Sequence, residues 1–333
     1  MSAITTSRVK SALPWMVLAA LAIAPSAGLT ANIVRLLFVT LVWVTTSLAW
    51  NLLGGFAGQV SFGFAVFYGI GAYTAAKMID AGIHPLPSFL AAGAMAAGSS
   101  LLVGVPTFRL RGPYFAIATI GVSEAVRVIA DNLSITGGAS GFRIVEHRPF
   151  RQLEHYYTAL GLAALAVMVS VVIEHSKFGL GLVAIRHDEE AAADVGINPF
   201  AYKLWAHAVA AALTGMAGGV YARYAAFIHP HGVFSFQTSV YILLMPVIGG
   251  IGTVMGAVLG GVIFGIVEEQ LVANFPNVHL LLYGGLLILI ILVEPDGLVG
   301  LAGRLWRRIT RHHGATDVAG PRPDEILRGT GGA

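Results

Sequence analysis

The chain has 333 residues, of which 56% are hydrophobic and 11% charged, and its mean hydropathy is +0.77. Soluble domains carry about 25% charged residues, so this composition excludes an ordinary water-soluble protein and predicts an all-α membrane protein. The net charge of +3 excludes a nucleic-acid binder with a basic soluble face, and the absence of cysteine excludes disulfides, thiolate metal sites and a cysteine nucleophile.

Apolar runs recur along most of the chain, and a helix needs about 20 mostly apolar residues to cross a bilayer. Runs that approach this length lie at 13–27, 29–50, 62–79, 87–106, 114–130, 156–173, 201–225, 239–251, 253–270 and 279–293. They predict a polytopic helical bundle of about ten transmembrane helices. The 239–270 region fits either one long tilted helix or two short ones.

Basic residues near the helix ends indicate the orientation, because Lys and Arg at such positions favour the cytoplasm. With residues 1–12 in the cytoplasm, ten spans place the basic residues of the short loops inside. These residues are Arg109, Arg111, Lys177 and Arg186. The opposite loops at 80–86, 226–238 and 271–278 contain neither Lys nor Arg.

The loop 131–155 departs from this pattern, since it lies outside and yet contains Arg143, Arg148 and Arg151. Nine spans would place the Arg-rich tail outside, so ten spans are favoured. His207 and Arg223 fall near span ends and are predicted to be interfacial groups whose polar ends reach water.

The predicted organisation is therefore a transmembrane domain over 13–303 and a cytoplasmic, disordered tail over 304–333. The N-terminus also resembles a signal peptide, because a basic start precedes an apolar run from Leu13 to Ala24. Its cleavage would leave nine spans with the same orientation.

The loop 177–200 contains an Ala-rich, acidic stretch that ends at Gly196 and is followed by Pro199. Such a stretch predicts a short helix, because glycine and then proline are typical of a helix C-terminus. A short helix on the cytoplasmic side is suited to docking against a soluble partner. The alternative is a solvated connector between two spans.

Within this stretch, Glu190, Ala191 and Ala192, followed by Gly196, resemble the EAA-x-x-x-G coupling loop of bacterial ABC-importer permeases. The whole chain resembles the branched-chain amino-acid ABC transporter permease family, in its LivM-type inner-membrane subunit. Further stretches carry the resemblance in family order: 51–63 (NLLGGFAGQVSFG), 68–74, 110–121, 136–141 (TGGASG), 177–196, 249–253 (GGIGT) and 294–298 (EPDGL).

The resemblance implies a permease subunit of the bacterial inner membrane that forms half of a translocation path for branched-chain or related amino acids. It also implies a second homologous permease, two cytoplasmic ATPase subunits that use ATP and Mg, and a periplasmic substrate-binding protein. The loop 177–200 would then be the coupling loop, with Arg186 and Asp188 as polar contacts to the ATPase. No cofactor, metal or nucleic acid is expected on this chain.

The sequence agrees with that division of labour, because it contains no G-x-x-x-x-G-K-[ST] phosphate loop. It also lacks the nucleophile–base spacing of an enzyme. The alternative class is a stand-alone secondary transporter or channel for small polar solutes. Such a protein has no ATPase to dock, so its loop 177–200 would be dispensable.

Glycines surround two polar residues, Gln59 and Ser61, between the second and third predicted spans. Gly58 and Gly63 are the nearest of them, and so many glycines predict a broken or re-entrant segment. One interpretation is that Gln59 and Ser61 line the substrate path and offer neutral hydrogen bonds to a zwitterion. The other is a tight packing turn.

Glu124 and Arg127 lie three residues apart on one helix face. Charges within a span are usually paired, so the favoured interpretation is a structural ion pair near the periplasmic end of the fifth span, ahead of direct substrate contact.

Two glycine-rich stretches have open roles. The periplasmic loop at Thr136, Gly137, Gly138 and Gly141 forms a turn, or presents backbone N–H groups to a carboxylate, or meets the binding protein. Gly252, Gly256 and Gly260 repeat every four residues and predict a smooth helix face for close packing, either within the chain or against the second permease.

Overall fold

The computed structural model describes residues 21–23, 30–146 and 149–275, together with 278, 281, 282, 284, 285 and 297–300. The expectations for the segment 1–12, for most of the spans 13–27 and 279–293, and for the tail 304–333 lie outside these residues.

Within the described residues the fold is helical, with one pair of two-residue strands. The long helices are α1 (Ala31–Trp50), α2 (Phe64–Asp80), α3 (Pro85–Thr107), α4 (Pro113–Asn132), α5 (Gln152–Glu174), α8 (Pro199–Ala225), α10 (Phe236–Gly249) and α11 (Val254–Asn274). The short elements are β1 (Phe142–Arg143), α6 (Lys177–His187), α7 (Glu189–Asp194), β2 (Phe227–Ile228) and α9 (Pro230–Val233). Single 3₁₀ turns at Ser134–Thr136 and Gly138–Ser140 precede β1.

The predicted spans from 29–50 to 253–270 each coincide with one long helix, which confirms the all-α polytopic class. Six segments of the described chain are long and apolar enough to cross a membrane. The region 239–270 forms two helices, because Gly250 and Gly252 adopt positive φ angles of 132° and 79° between them. The total of about ten spans stays a prediction.

The core is built around α8, which packs against α1, α2 and α3. Small residues allow the backbones to approach closely there. A Cβ on Gly71 of α2 would lie 2.0 Å from the carbonyl oxygen of Gly215 in α8, and a Cβ on Gly215 would lie 2.4 Å from the Cβ of Ala96 in α3. No larger side chain fits at either glycine, so these three helices are locked together by backbone contact.

The loops fall into two groups at opposite ends of the bundle. We call the group formed by 51–63, 107–112, 174–198 and 249–253 the coupling face, and the group formed by 80–85, 133–146, 149–151 and 226–235 the outer face. On the outer face β1 pairs antiparallel with β2, with Phe142 opposite Ile228. These groups are the ones that the basic residues predict to share a side, while the assignment of each face to a compartment stays a prediction.

Candidate functional site on the coupling face

The first long helix does not end in an ordinary way, because α1 continues as a π-helix over Asn51–Phe56, which we call the π segment. The backbone is then non-helical as far as Gly63, where α2 follows. Gly54 and Gly55 lie within the π segment and weaken a regular helix. Single π turns inside helices are rare and frequently mark functional sites. The predicted break is thus present, in the form of a π turn followed by a bend.

Ser61 forms part of the bend and is buried. Its carbonyl oxygen accepts a hydrogen bond from Nε1 of Trp50 at 2.9 Å, and its Oγ accepts one from the backbone N–H of Gly63 at 3.2 Å. The next N–H, of Phe62, donates to Oγ1 of Thr119 in α4 at 3.1 Å. These contacts give Ser61 a structural role in the bend.

Gln59 lies in the same bend but is only half-buried, between the exposed Gly58 and Val60. Its backbone N–H donates to the carbonyl of Leu53 in the π segment at 3.2 Å. Gln59 is therefore the more accessible of the two polar side chains, and the substrate-path hypothesis applies to it better than to Ser61.

The predicted short helix of the coupling loop consists of two helices, α6 and α7, separated at Asp188. The backbone of Asp188 is extended, and its Oδ1 accepts hydrogen bonds from the N–H groups of Glu190 and Ala191 at 2.9 and 3.0 Å. Asp188 therefore serves as the N-cap of α7.

Gly196 ends this element in the left-handed region, with φ = +89°. Its N–H donates to the carbonyl of Ala193 at 2.9 Å, and the N–H of Ile197 donates to the carbonyl of Ala192 at 3.1 Å. This is the hydrogen-bond pattern of a Schellman motif, which requires a positive φ and therefore favours glycine. The glycine of the motif thus fixes the direction in which the chain leaves α7.

The surface of α7 is divided between a buried and an exposed side. Ala192 is buried, whereas Glu190 and Ala191 are exposed. Val195 follows directly and is 77% exposed, which makes it a protruding apolar side chain at the end of α7. Val195 thus extends the exposed surface of α7 by one apolar side chain. Val195 could not be predicted from the sequence as a site residue, because a single valine in a polar loop carries no periodic signal.

Two ion pairs attach α7 to the bundle. Glu189 pairs with Nζ of Lys203 in α8 at 2.6 Å, and the Lys203 side chain is only 4% exposed. Glu190 pairs with Nη1 of Arg111 at 2.8 Å, where both side chains are largely exposed. An exposed pair contributes little to stability, so the Glu189–Lys203 pair is the stronger attachment and Glu190 is accessible to a partner.

Arg186 in the last turn of α6 reaches the π segment, where its Nη1 donates to the carbonyl of Gly55 at 2.7 Å. Asn51 connects the π segment to the turn between α10 and α11. Its Oδ1 accepts from the N–H of Gly252 at 2.9 Å, and its Nδ2 donates to the carbonyl of Thr253 at 3.1 Å.

Stretches far apart in sequence therefore meet on the coupling face. They are the segments 51–63, 177–196 and 249–253. A fourth stretch joins them at Gly297, whose added Cβ would lie 2.6 Å from the backbone nitrogen of Gly250.

On the outer face, the structure brings Glu124 and Arg127 together as an ion pair within α4. Arg127 also donates from Nη1 to Oδ2 of Asp131 at 2.7 Å and lies 3.0 Å from Nδ1 of His231 in α9. Asp131 and His231 were not predicted as members of this cluster. His231 comes from a distant loop, whereas the spacing of four residues between Arg127 and Asp131 is a signal that could have revealed Asp131.

This cluster gives a prediction in which two substitutions have unequal effects. Arg127→Gln leaves the carboxylate of Asp131, which is 14% exposed, without its permanent cation and with only Nε2 of His231 beside it at 3.5 Å, and it is expected to reduce uptake several-fold by weakening the outer face. Glu124→Gln is expected to have little effect, because that side chain is 54% exposed. Uptake and thermal unfolding of the purified variants measure both, and a larger loss with Glu124→Gln would contradict the prediction.

The glycine-rich loop of the outer face uses its backbone N–H groups internally. Those of Gly137, Gly138 and Gly141 donate to the carbonyls of Ser134, Leu133 and Gly138. Thr136 is buried, and its Oγ1 donates to the carbonyl of Leu133 at 2.6 Å. These contacts favour a tight turn over an anion-binding loop.

The glycine repeat divides into two parts. Gly256 and Gly260 lie in α11, where added Cβ atoms would meet the carbonyls of Gly250 and Met245 at 2.1 and 1.8 Å. They therefore pack α11 against α10 within the chain. Gly252 differs from the expectation, because α11 begins only at Val254 and Gly252 lies in the preceding turn with φ = +79°.

Known proteins are similar to this chain over most of its length. The family model for the permease component of the branched-chain amino acid transport system matches residues 32–291. The high-affinity branched-chain amino acid transport system permease protein LivM of Escherichia coli is 30% identical over 328 residues, covering 89% of this chain and 77% of LivM.

The high-affinity branched-chain amino acid transport system permease protein LivH of E. coli is 31% identical over 140 residues, 42% of this chain and 44% of LivH. A probable LivM of Methanocaldococcus jannaschii is 25% identical over 214 residues, 59% of this chain and 62% of that protein. No solved structure matches the chain significantly.

Proposed function

The chain belongs to the family of permease components of branched-chain amino acid transport systems, and from this premise we propose that it forms half of the translocation path of an ATP-driven importer. It is a multi-pass membrane protein and a transport subunit, not an enzyme. Its substrates are branched-chain or related amino acids, and it resides in the bacterial inner membrane. The other half of the path belongs to a second, homologous permease. The similarity of this one chain to both LivM and LivH supports such a pair.

The observation that carries the proposal is the build of the coupling loop. The conformation of α7 is fixed at both ends, by the Asp188 cap at its start and by the left-handed Gly196 after its end. Glu190, Ala191 and Val195 remain accessible. A short, well-attached helix with an accessible face is suited to a groove on a soluble ATPase. In this mechanism ATP binding, with Mg, closes two partner ATPases, which move α7 and thereby reopen the path toward the other side of the membrane.

Affinity purification of the tagged chain from detergent-solubilised membranes, with identification of co-purifying proteins and an ATPase assay, tests the proposal. We expect a second permease and ATPase subunits, with a substrate-binding protein in the presence of amino acid. The matched variant is Val195→Glu, which places a charge at the accessible end of α7 and is expected to lose the ATPases but keep the second permease. A chain that purifies alone and transports an amino acid in vesicles without ATP would establish the secondary transporter instead.

The substrate path gives a second prediction. Gln59→Ala is expected to reduce uptake per assembled complex by about three- to tenfold, as the loss of one hydrogen bond to a bound zwitterion implies. Ser61→Ala serves as the contrast, because Ser61 stabilises the bend and its loss should lower the yield of folded protein instead. Uptake in proteoliposomes, normalised to the amount of complex, measures both. Wild-type uptake with Gln59→Ala would remove Gln59 from the path.

A further inference from the structure

We propose that Arg186 is the positioning residue that transmits the movement of the coupling loop to the transmembrane helices, through its bond to the π segment. The inference rests on the proposed function, since it assumes that an ATPase moves α7. It adds a specific route, from α6 through Arg186 and Gly55 to Asn51 and the turn between α10 and α11.

The first step of the route is short and stiff. Arg186 lies in the last turn of α6, two residues before the Asp188 cap of α7, so its backbone moves with α7. Its guanidinium donates to the Gly55 carbonyl at 2.7 Å, the length of a charge-assisted hydrogen bond. Such bonds are roughly twice as strong as neutral ones.

The second step places this bond at a deformable point of α1. The π segment departs from the regular i to i−4 hydrogen-bond pattern and contains two adjacent glycines. Both features make it easier to deform than a regular helix. The carbonyl that Arg186 holds belongs to the second of them, Gly55. Pulling on that carbonyl changes the end of α1, and with it the bend that contains Gln59.

Two glycines lie close to the Arg186 side chain. A Cβ on Gly252 would lie 2.3 Å from Nη1 of Arg186, and a Cβ on Gly58 would lie 2.9 Å from its Cγ. Both glycines have positive φ, +79° and +71°. Arg186 is thus exposed on one side and contacts, on the other, two backbone segments whose conformations favour glycine.

The third step leads from the π segment to the turn between α10 and α11. Asn51 is fully buried, and both polar atoms of its side chain are bonded to the turn at Gly252 and Thr253. One turn earlier in α1, Oγ of Ser47 donates to the carbonyl of Ala257 in α11 at 2.7 Å. A displacement of the π segment is therefore passed on to the start of α11.

The test measures uptake and ATP hydrolysis together in the complete importer in proteoliposomes. Arg186→Gln is expected to lower the amount of substrate transported per ATP by about tenfold, as the loss of a charge-assisted hydrogen bond implies, while the complex still assembles and hydrolyses ATP. Arg186→Lys keeps the positive charge and a hydrogen-bond donor, so it should keep much of the wild-type amount of substrate transported per ATP. Arg109→Gln is the matched control, because it removes the same charge from another exposed arginine of the same face, and among the described residues only Arg186 of the two donates a hydrogen bond to the π segment.

A second variant approaches the same bond from the other side. Gly252→Ala places a methyl group against Nη1 of Arg186 and should lower the amount of substrate transported per ATP. If both substitutions act on the same bond, the double variant with Arg186→Gln should transport no less per ATP than the more impaired single variant. Gly82→Ala is its control, since Gly82 has φ = +83° with open space around it on the outer face.

An unchanged ratio in Arg186→Gln, or an equal fall in Arg109→Gln, would overturn the role of Arg186. So would a loss of folded complex with a normal ratio in the remainder, because that result marks a purely structural residue. None of these results bears on the importer assignment, which fails only if the wild-type chain transports without ATP or without ATPase partners.

Discussion

Gly196→Pro is expected to abolish uptake while the transmembrane helices still fold. Proline fixes φ near −65°, whereas Gly196 has φ = +89°. Proline also removes the N–H that donates to the carbonyl of Ala193. Both changes fall on the junction that sets the angle of α7 and destabilise it by more than about 1 kcal/mol, so the accessible residues Glu190 and Val195 would no longer meet an ATPase in register.

Two further substitutions at position 196 separate the effect of losing the left-handed backbone conformation from the effect of losing glycine itself. Gly196→Asn should keep most of the uptake, because asparagine tolerates the left-handed region. Gly196→Ala should lie between the two, since open space surrounds the position and only the φ angle is strained. The three variants are compared by measuring their uptake, their ATP hydrolysis and the amount of ATPase that co-purifies with each. Equal activity of the Pro and Asn variants would show that the left-handed exit of α7 is not required.

Arg223→Met is expected to give the largest loss of stability on the outer face. The Arg223 side chain is 3% exposed and donates to Glu146 from both Nε and Nη2, and to Glu154 from Nη2 at 2.7 Å. Methionine fills a similar volume but leaves Glu146, which is 20% exposed, without a cation. Removing one partner of a buried pair costs about 3 kcal/mol or more.

The measurement is thermal unfolding of the purified protein in detergent, for which the Arg223→Met variant should unfold at a clearly lower temperature. Glu154→Gln provides the contrast, because Glu154 is 42% exposed and its loss leaves the Glu146 pair intact. If both variants unfold at the same temperature as the unsubstituted protein, the ion pairs of Glu146 and Glu154 with Arg223 do not stabilise the outer face.

The transmembrane helices could be predicted from the sequence because their signal is local. Each long helix coincides with an apolar run, and glycines and prolines mark most of the breaks between them. The break after α1 was predictable from Gly54 and Gly55 for the same reason. The end of α7 at Gly196 was predictable as well, since a C-terminal glycine needs no tertiary contact to be recognised.

The contacts of the coupling face could not be predicted, because they join residues far apart in sequence. Asn51 lies in an apolar stretch and gives no sign that it bonds to Gly252, and Arg186 in a polar loop gives none that it reaches Gly55. Gly252 was assigned to a helix face from its spacing alone. Its positive φ comes from the tight turn that its neighbours impose, which a repeat of four does not reveal.

The interfacial interpretation of His207 and Arg223 was wrong for a related reason. Both residues lie near the ends of a predicted span, but α8 is the central helix of the bundle, so they are buried. His207 packs among aromatic rings, with Phe67 at 4.9 Å and Phe108 at 5.3 Å between ring centroids. Depth along a span can be estimated from the sequence, whereas distance from the bundle axis depends on how the helices pack.

The backbone contact of α8 with α2 and α3 also decides where a spectroscopic label should be placed. Because Gly71 and Gly215 leave no gap, these three helices form one rigid frame, and a probe attached to them would report only rotation of the whole. By contrast, α4 has the smallest buried fraction of the candidate spans in the described chain. Since the chain contains no native cysteine, a single cysteine at Ile117, which is 65% exposed, would carry a label on the helix best able to shift against that frame.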